Sequence, residues 1–306
     1  MSVDGLLNVN KPYGLTSTEV VRRLKRSSGV KRVGHGGTLD PMATGVVPVC
    51  FGKGTRVVEY LVEGGKEYRG VVELGTVTDT YDAIGSVVET KDASAVSLED
   101  VTRAVDRFKG VIEQVPPMYS ALKIQGKRLY ELARAGIEVE REPRSVEVHE
   151  IDVIDWSPPA ITLNIECGRG LYVRSLAHDL GSEIGCGGHL KELIRTRSGP
   201  FHIADSLDLE TAEQMAADGD WSELHAPDTV LGGMPALVVG SDVEEDIRHG
   251  RQLPIEAPLG GSGQDTKYRV YSSDGRFLAI VTSDEASGGW RPVKVFSIAG
   301  PDVAAK

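Results

Sequence analysis

The sequence predicts an α+β domain over residues 1–228 followed by a small C-terminal β-barrel domain over residues 229–306. Three observations carry that expectation. Capped segments with apolar residues at helical spacing alternate with short strand-like runs through the first 200 residues. One run, Ile161 to Cys167, alternates apolar and polar residues with the period of a half-buried strand. From Pro235 onward the texture changes to short β-rich runs between turns of Gly, Ser and Asp, the pattern of a small all-β module.

In order along the chain, the first strand is Gly5-Leu6-Leu7-Asn8-Val9-Asn10-Lys11, stopped by the turn signal Pro12-Tyr13-Gly14. Thr16 and Glu19 have the spacing of a capping box, so a helix is expected to start there and run to about Ser28. It places Val20, Val21 and Leu24 on one side, exposes Arg22, Arg23, Lys25 and Arg26, and ends at Gly29. Residues 66–75 and 84–89 read as paired strands around a Thr- and Asp-rich loop, Thr76 to Ala83. A helix over Leu98 to Phe108 is capped by Ser97, and a short one over Lys127 to Ala135 buries Leu129, Leu132 and Ala133 before Gly136. After Phe201 an acidic stretch to about Asp228 reads as a helical connection. The C-terminal strand-like runs are Ala236 to Val239, Tyr268 to Tyr271, Phe277 to Val281 and Val293 to Ile298. Ser273-Asp274-Gly275 is a hairpin turn, and Gly260 to Gln264 is a loop.

With 40% hydrophobic and 26% charged residues the chain has an ordinary globular composition, and its formal net charge is −11. Averaged, that charge argues against a nucleic-acid partner. Its distribution argues otherwise. Residues 1–60 hold nine basic and four acidic side chains, whereas residues 201–260 hold only Arg248 and Arg251 against 13 acids. The excess acidity is therefore one segment, expected to face away from an anionic ligand, and the run Asp242 to Asp246 reads as solvated surface. The longest apolar stretch, Val46 to Phe51, is far short of the roughly 18 residues of a membrane helix. The N-terminus lacks the basic segment and apolar core of a secretory signal. Cys50, Cys167 and Cys186 lie far apart without a C-x-x-C, so neither a disulfide framework nor a cysteine zinc site is expected, and the location expected is cytoplasmic.

The densest chemistry lies in Gly34-His35-Gly36-Gly37-Thr38-Leu39-Asp40-Pro41-Met42-Ala43-Thr44-Gly45. Its four glycines permit positive φ or close approach of a backbone to a partner. Taken alone, Asp40-Pro41 reads either as a helix N-cap with Pro at the first helical position or as a working carboxylate. His35 likewise reads as a loop residue or as a catalyst. No Gly-Lys-Ser/Thr follows, which excludes a phosphate-cradling P-loop. His35 and Asp40 supply two metal-ligand types without a third nearby, so no metal is expected.

Six segments, in order across about 195 residues, resemble the TruB family of tRNA pseudouridine-55 synthases. They are Leu6 to Pro12, the Gly34–Gly45 segment, Lys66-Glu67-Tyr68 with Gly75 to Thr80, Pro116 to Lys123, Gly126 to Arg134, and Cys167 to Leu176 with Gly199-Pro200-Phe201. Leu171 stands where the family more often has Thr, and Gly188 and Ile194 stand where Ala and Arg are commoner. Arg195 and Arg197 remain beside Ile194.

The resemblance implies a pseudouridine synthase-type core, a mixed and mainly antiparallel sheet with flanking helices, with residues 116–144 as an RNA-clasping insertion. It implies conversion of uridine 55 in the tRNA T arm without a cofactor. Such a reaction needs a carboxylate and a pocket that retains the detached uracil, and Asp40 matches the family's carboxylate. An adjacent cation favours the ionised form that a nucleophile or base requires, and Arg174 matches the arginine that pairs with it. Tyr68 matches the tyrosine that stacks on the target base, and His35 the wedge that fills the vacated stack after extrusion. Lys11 and Leu193 match further substrate-binding positions. Without the resemblance, Arg174 reads as an exposed helix-start residue and Tyr68 as a core aromatic. Arg22, Lys123, Lys127, Arg128 and Arg195 are candidates for RNA-backbone contacts. The C-terminal domain resembles a PUA-like RNA-binding module through Ile247-Arg248-His249-Gly250 and Trp290-Arg291-Pro292-Val293-Lys294. The expected partner is tRNA, bound at its T stem-loop by a monomer with no cofactor, membrane or obligatory protein partner. The alternatives are a tRNA-folding chaperone with incidental catalysis and an enzyme working within a guide-RNA complex.

Overall fold

In the computed structural model, which describes residues 3–124, 126–253, 266–284 and 289–296, the N-terminal apolar run is strand β1 (Gly5–Lys11). Helix α1 (Ser17–Ser28) follows, with the reciprocal Thr16–Glu19 capping box in place and Gly29 ending it at φ 66°. Strands β2 (Val33–His35) and β3 (Thr44–Phe51) bracket the Gly-rich segment. Helix α2 (Val58–Glu63) leads into β4 (Lys66–Leu74), after which β5 (Thr76–Thr78) and β6 (Val87–Thr90) form a ribbon. Helix α3 (Leu98–Asp106), capped by Ser97, precedes β7 (Gly110–Gln114). A second ribbon, β8 (Lys123–Ile124) with β9 (Lys127–Arg128), runs into α4 (Leu129–Arg134). The long hairpin of β10 (Arg144–Ser157) and β11 (Ala160–Cys167) feeds α5 (Val173–Ile184) and β12 (Gly188–Ser198). The short strands β13 (Phe201–His202) and β14 (Leu207–Asp208) and helix α6 (Leu209–Asp218) come next. The C-terminal elements are β15 (Ala236–Val239), α7 (Ser241–Arg248), β16 (Lys267–Ser272), β17 (Phe277–Asp284) and β18 (Gly289–Val295).

The central sheet has ten strands, in the order β14-β1-β3-β12-β4-β11-β10-β7 with β13 beside β12 and β2 beside β3. Its pairings are antiparallel except β1 with β14 and β3 with β12. β11 alternates buried and partly exposed residues, as its sequence period requires. The expected pairing of 66–75 with 84–89 does not form. Both edges of β4 are taken, one by β11 and one by β12, leaving no hydrogen-bonding edge for a third strand. β6, exposed at all four positions, pairs instead with β5, which lies inside the expected loop. The helix expected from Lys127 starts at Leu129, because Lys127 and Arg128 pair with Ile124 and Lys123 in the ribbon.

The sheet is covered on both faces, and that explains the unbroken apolar run of β3. Leu7, Val9, Val47 and Val49 belong to the core on the face that α1, α3, α5 and α6 cover, a core that also holds Leu24, Val105, Leu176 and Ala212. Leu6, Val46 and Cys50 point the other way and share one core with Leu61, Phe201, Phe277, Ile280 and Phe296. Among the described residues the C-terminal sheet has the order β15-β16-β17-β18 and its own cluster around Ile247, Val270, Leu278 and Trp290. The Ser273-Asp274-Gly275 turn is present, with Gly275 at φ 83°. The last strand starts at Gly289 rather than Val293, while residues 297–298 and the loop from Gly260 to Gln264 lie outside the described residues. Two charge expectations are corrected. Arg23 is not on the open face of α1, since it forms an ion pair with Glu213 of α6. Within the acidic run 242–246, Glu244 is buried against Arg276 and Arg248.

Candidate active site

Asp40-Pro41 caps no helix. Residues 41–42 form a turn closed by the Ala43 N–H donating to the Asp40 carbonyl at 3.1 Å, and β3 begins at Thr44. The Asp40 carboxylate meets Arg174 in the first turn of α5, accepting from Nε at 2.8 Å and from Nη2 at 3.0 Å. This two-pronged geometry is the strong form of an arginine–carboxylate contact. The Arg174 side chain is 4% exposed and that of Asp40 33%, so solvent reaches the carboxylate but not the guanidinium. Arg174 also donates to the carbonyls of Thr80 at 3.3 Å and Tyr119 at 2.8 Å. A second carboxylate, Asp82, lies 3.6 Å from its Nη1. Asp82 is buried, accepts from Thr80 Oγ1 at 2.5 Å and from the Ile84 N–H at 3.2 Å, and burial pushes its carboxyl up against those contacts. Sequence reasoning missed Asp82. Its signal was present in Thr78-Asp79-Thr80-Tyr81-Asp82, where a loop rich in Asp and Thr follows directly on a matched motif.

Two buried cations hold the loop that presents Asp40. Lys11 is fully buried and donates to the carbonyls of Pro12 at 2.9 Å, Leu15 at 2.7 Å and Pro41 at 3.4 Å. Burial brings its pKa down to about 8, with the nearby Asp40 charge opposing. Lys11 therefore supports the loop rather than presenting its amine to a ligand. Arg195, 1% exposed, donates to the carbonyls of Val46 at 2.7 Å, Gly37 at 3.1 Å and Thr38 at 3.5 Å. Its expected role as an RNA-backbone contact is corrected by that burial: the guanidinium faces the inside of the Gly-rich loop. Gly45 makes this possible. It sits at φ 104°, and a Cβ there would fall 2.3 Å from the Arg195 carbonyl, closer than any side chain tolerates.

Tyr68 of β4 lies directly across from Arg195 of β12 and is 8% exposed. Burial raises the pKa of its phenol, the adjacent Arg195 charge opposes that shift, and the Asp40 charge adds to it. Leu193, opposite Gly70, belongs with Leu39, Ala43, Tyr68 and Val173 to the same apolar cluster. His35 ends β2, and burial, with the Arg195 charge, lowers its pKa. Arg22, Lys123, Lys127 and Arg128 are all exposed, and apart from Arg22 they lie on the ribbon of the 116–144 segment. Arg174 reaches that segment through the Tyr119 carbonyl. Asp40 and Arg174 make a reachable, charge-paired carboxylate, and Tyr68 and Leu193 share an apolar cluster with Leu39 and Val173, the chain neighbours of that pair. That arrangement suits attack on, or proton removal from, a planar ring and its sugar. Among the described residues no cluster of three His, Cys, Asp or Glu is placed to hold a metal.

The sequence model described as TruB family pseudouridylate synthase (N terminal domain) matches residues 25–173, and that described as tRNA pseudouridylate synthase B C-terminal domain matches residues 174–234. The tRNA pseudouridine synthase B of Clostridium tetani is 48% identical over 299 residues, covering 96% of this chain and 99% of its own. That of Dehalococcoides mccartyi is 43% identical over 295 residues, covering 96% and 97%. Among solved structures, a Cbf5-Nop10-Gar1 complex aligns with a TM-score of 0.71 at 26% identity, covering 91% of this chain and 78% of the other. An H/ACA RNP bound to a substrate RNA containing 2'-deoxyuridine aligns with a TM-score of 0.73 at 23% identity, covering 96% and 85%, a likeness of fold.

Proposed function

The chain belongs to the TruB family of pseudouridylate synthases and isomerises uridine to pseudouridine in tRNA, and we propose that its target is uridine 55 of the T arm and that Asp40 carries the reaction. The observation that carries this reading is the pairing of a solvent-reachable carboxylate, Asp40, with a buried arginine, Arg174. In the isomerisation the bond from C1′ to N1 breaks, the uracil turns, and a bond from C1′ to C5 forms. The proton on C5 is lost and N1 ends protonated, so no electrons are gained or lost overall and no external donor is needed.

Asp40 acts on the sugar or the base, and Arg174 holds it in one orientation throughout. Tyr68 stacks on the extruded base and Leu193 bounds its pocket, which retains the free uracil while it turns. Extrusion costs a few kcal/mol, offset by stacking and by His35 filling the vacated place. Arg22 and the ribbon residues Lys123, Lys127 and Arg128 take the RNA backbone, and residues 116–144 close on it. Residues 1–228 form the catalytic domain, and residues 229–306 form a PUA-like domain that adds RNA contacts. The chain works as a monomer, without cofactor or obligatory protein partner, in the reducing cytosol that suits its three free thiols, Cys50, Cys167 and Cys186.

The test is conversion of unmodified tRNA transcript by the purified chain alone, with the product mapped by position. Pseudouridine is expected at position 55 and nowhere else. Asp40→Asn is expected to bind tRNA within about threefold of wild type and to convert none of it. Conversion by that variant, or product outside the T arm, overturns the reading.

A further inference from the structure

Among the described residues, Tyr81 is the one non-glycine residue with positive φ, at 63°. A bulky side chain is disfavoured there, and such residues persist where surrounding contacts over-determine them. Those contacts are identifiable. The Tyr81 N–H donates to the Thr78 carbonyl at 3.2 Å, and its carbonyl accepts from the Leu190 N–H at 2.9 Å, pinning the loop to β12. Its ring lies on that of His178, with centroids 4.0 Å apart and planes 14° from parallel. His178 is four residues after Arg174 in α5 and so shares its face of the helix. The His178 Nδ1 is buried without a hydrogen bond, and burial lowers the pKa of the ring, so the contact is made by ring faces rather than by charge.

Tyr81 stands between the two groups that brace Arg174 from the side away from Asp40: the Thr80 carbonyl and the Asp82 carboxylate. We propose that the Tyr81–His178 stack is a positioning device for the reaction, seating the 78–82 loop on α5 so that Thr80 and Asp82 hold the Arg174 fork toward Asp40. Neither ring touches substrate. The inference rests on the reading that the Asp40–Arg174 pair carries the chemistry.

The experiment compares Tyr81→Phe, Tyr81→Gly, His178→Ala and the double variant Tyr81→Gly/His178→Ala. Three quantities are measured: the single-turnover rate at saturating enzyme, the tRNA dissociation constant, and the thermal midpoint. Tyr81→Phe keeps the stack and is expected to react within about twofold of wild type. Tyr81→Gly removes the ring but relieves the backbone, so its rate is expected to fall about tenfold with tRNA affinity and thermal midpoint undiminished. His178→Ala is expected to slow by the same factor, and the double variant by no more than either single one, because both remove one shared stack. A wild-type rate in Tyr81→Gly, or effects that multiply in the double variant, overturns the proposal. Asp40→Asn run alongside separates the two readings: its retention of activity overturns the Asp40 assignment, whereas a wild-type rate in Tyr81→Gly beside an inactive Asp40→Asn overturns the stack alone.

Discussion

At the scale of single residues, burial decides what a charge does. Asp179 lies in α5 beside His178, half-buried and without a hydrogen bond or ion pair among the described residues, and burial pushes its carboxyl up to about 6. Its ordinary value is 3.8, so between about pH 4 and pH 6 the folded state holds a proton that the unfolded chain has released. Stability from this group is therefore full below about pH 4 and falls as pH rises to about 6, staying lower beyond it. Asp179→Asn is expected to stabilise the protein at pH 7.5 by on the order of 1 kcal/mol, discounted for partial exposure, and by much less at pH 4. Thermal melts of both proteins at the two pH values check it, and equal shifts at both would refute it. The same scale shows why the sequence pattern of Arg195 misleads. In R-T-R the period of a strand places Arg195 and Arg197 on one face, but a register shift in β12 between them separates their environments. Arg195 turns into the Gly-rich loop, while Arg197 pairs with Glu67 and Glu166.

At the scale of elements, the caps of α1 and α3 were legible because Thr16–Glu19 and Ser97–Asp100 act within four residues. Strand pairing was not, because β4 takes partners from β11 and β12 far along the chain and leaves β6 to the local ribbon. The β8–β9 ribbon carries the exposed Lys123, Lys127 and Arg128 proposed above to take the RNA backbone. Replacing Lys123, Lys127 and Arg128 with Gln is expected to lower the slope of log affinity against log salt by about 0.7–0.9 for each phosphate no longer neutralised. Conversion at saturating tRNA should persist. Arg195→Lys serves as the contrast, slowing conversion through a disordered Asp40 loop while leaving that slope unchanged. An unaltered slope in the ribbon variant would remove the ribbon from the RNA interface.

At the scale of the whole molecule, the C-terminal sheet is no detached module. Phe277, Ile280 and Phe296 share a core with Leu6, Val46, Cys50 and Phe201 on the back of the central sheet, and Lys294 reaches Glu59 and the Arg56 carbonyl. Ending the chain at residue 233 is expected to destabilise what remains by at least about 3 kcal/mol, at roughly 1.5–3 kcal/mol for each large apolar side chain uncovered. A lower thermal midpoint and stronger hydrophobic dye binding would report it, and an unchanged midpoint would mean that the two parts are independent. The family and the caps of α1 and α3 were legible in the sequence alone, because each is written in neighbouring residues or in the order of short motifs, whereas the neighbours of Asp40 left a helix cap and a working carboxylate equally open and only the resemblance singled it out. Arg174 as a partner was implied only through that resemblance, since 134 positions separate it from Asp40. That Asp82 joins the pair, that Lys11 and Arg195 are buried under the loop, and that the small sheet seals the back of the large one were decided only by the tertiary structure. Burial and pairing depend on which distant segments the sheet brings together, and no local pattern records that choice.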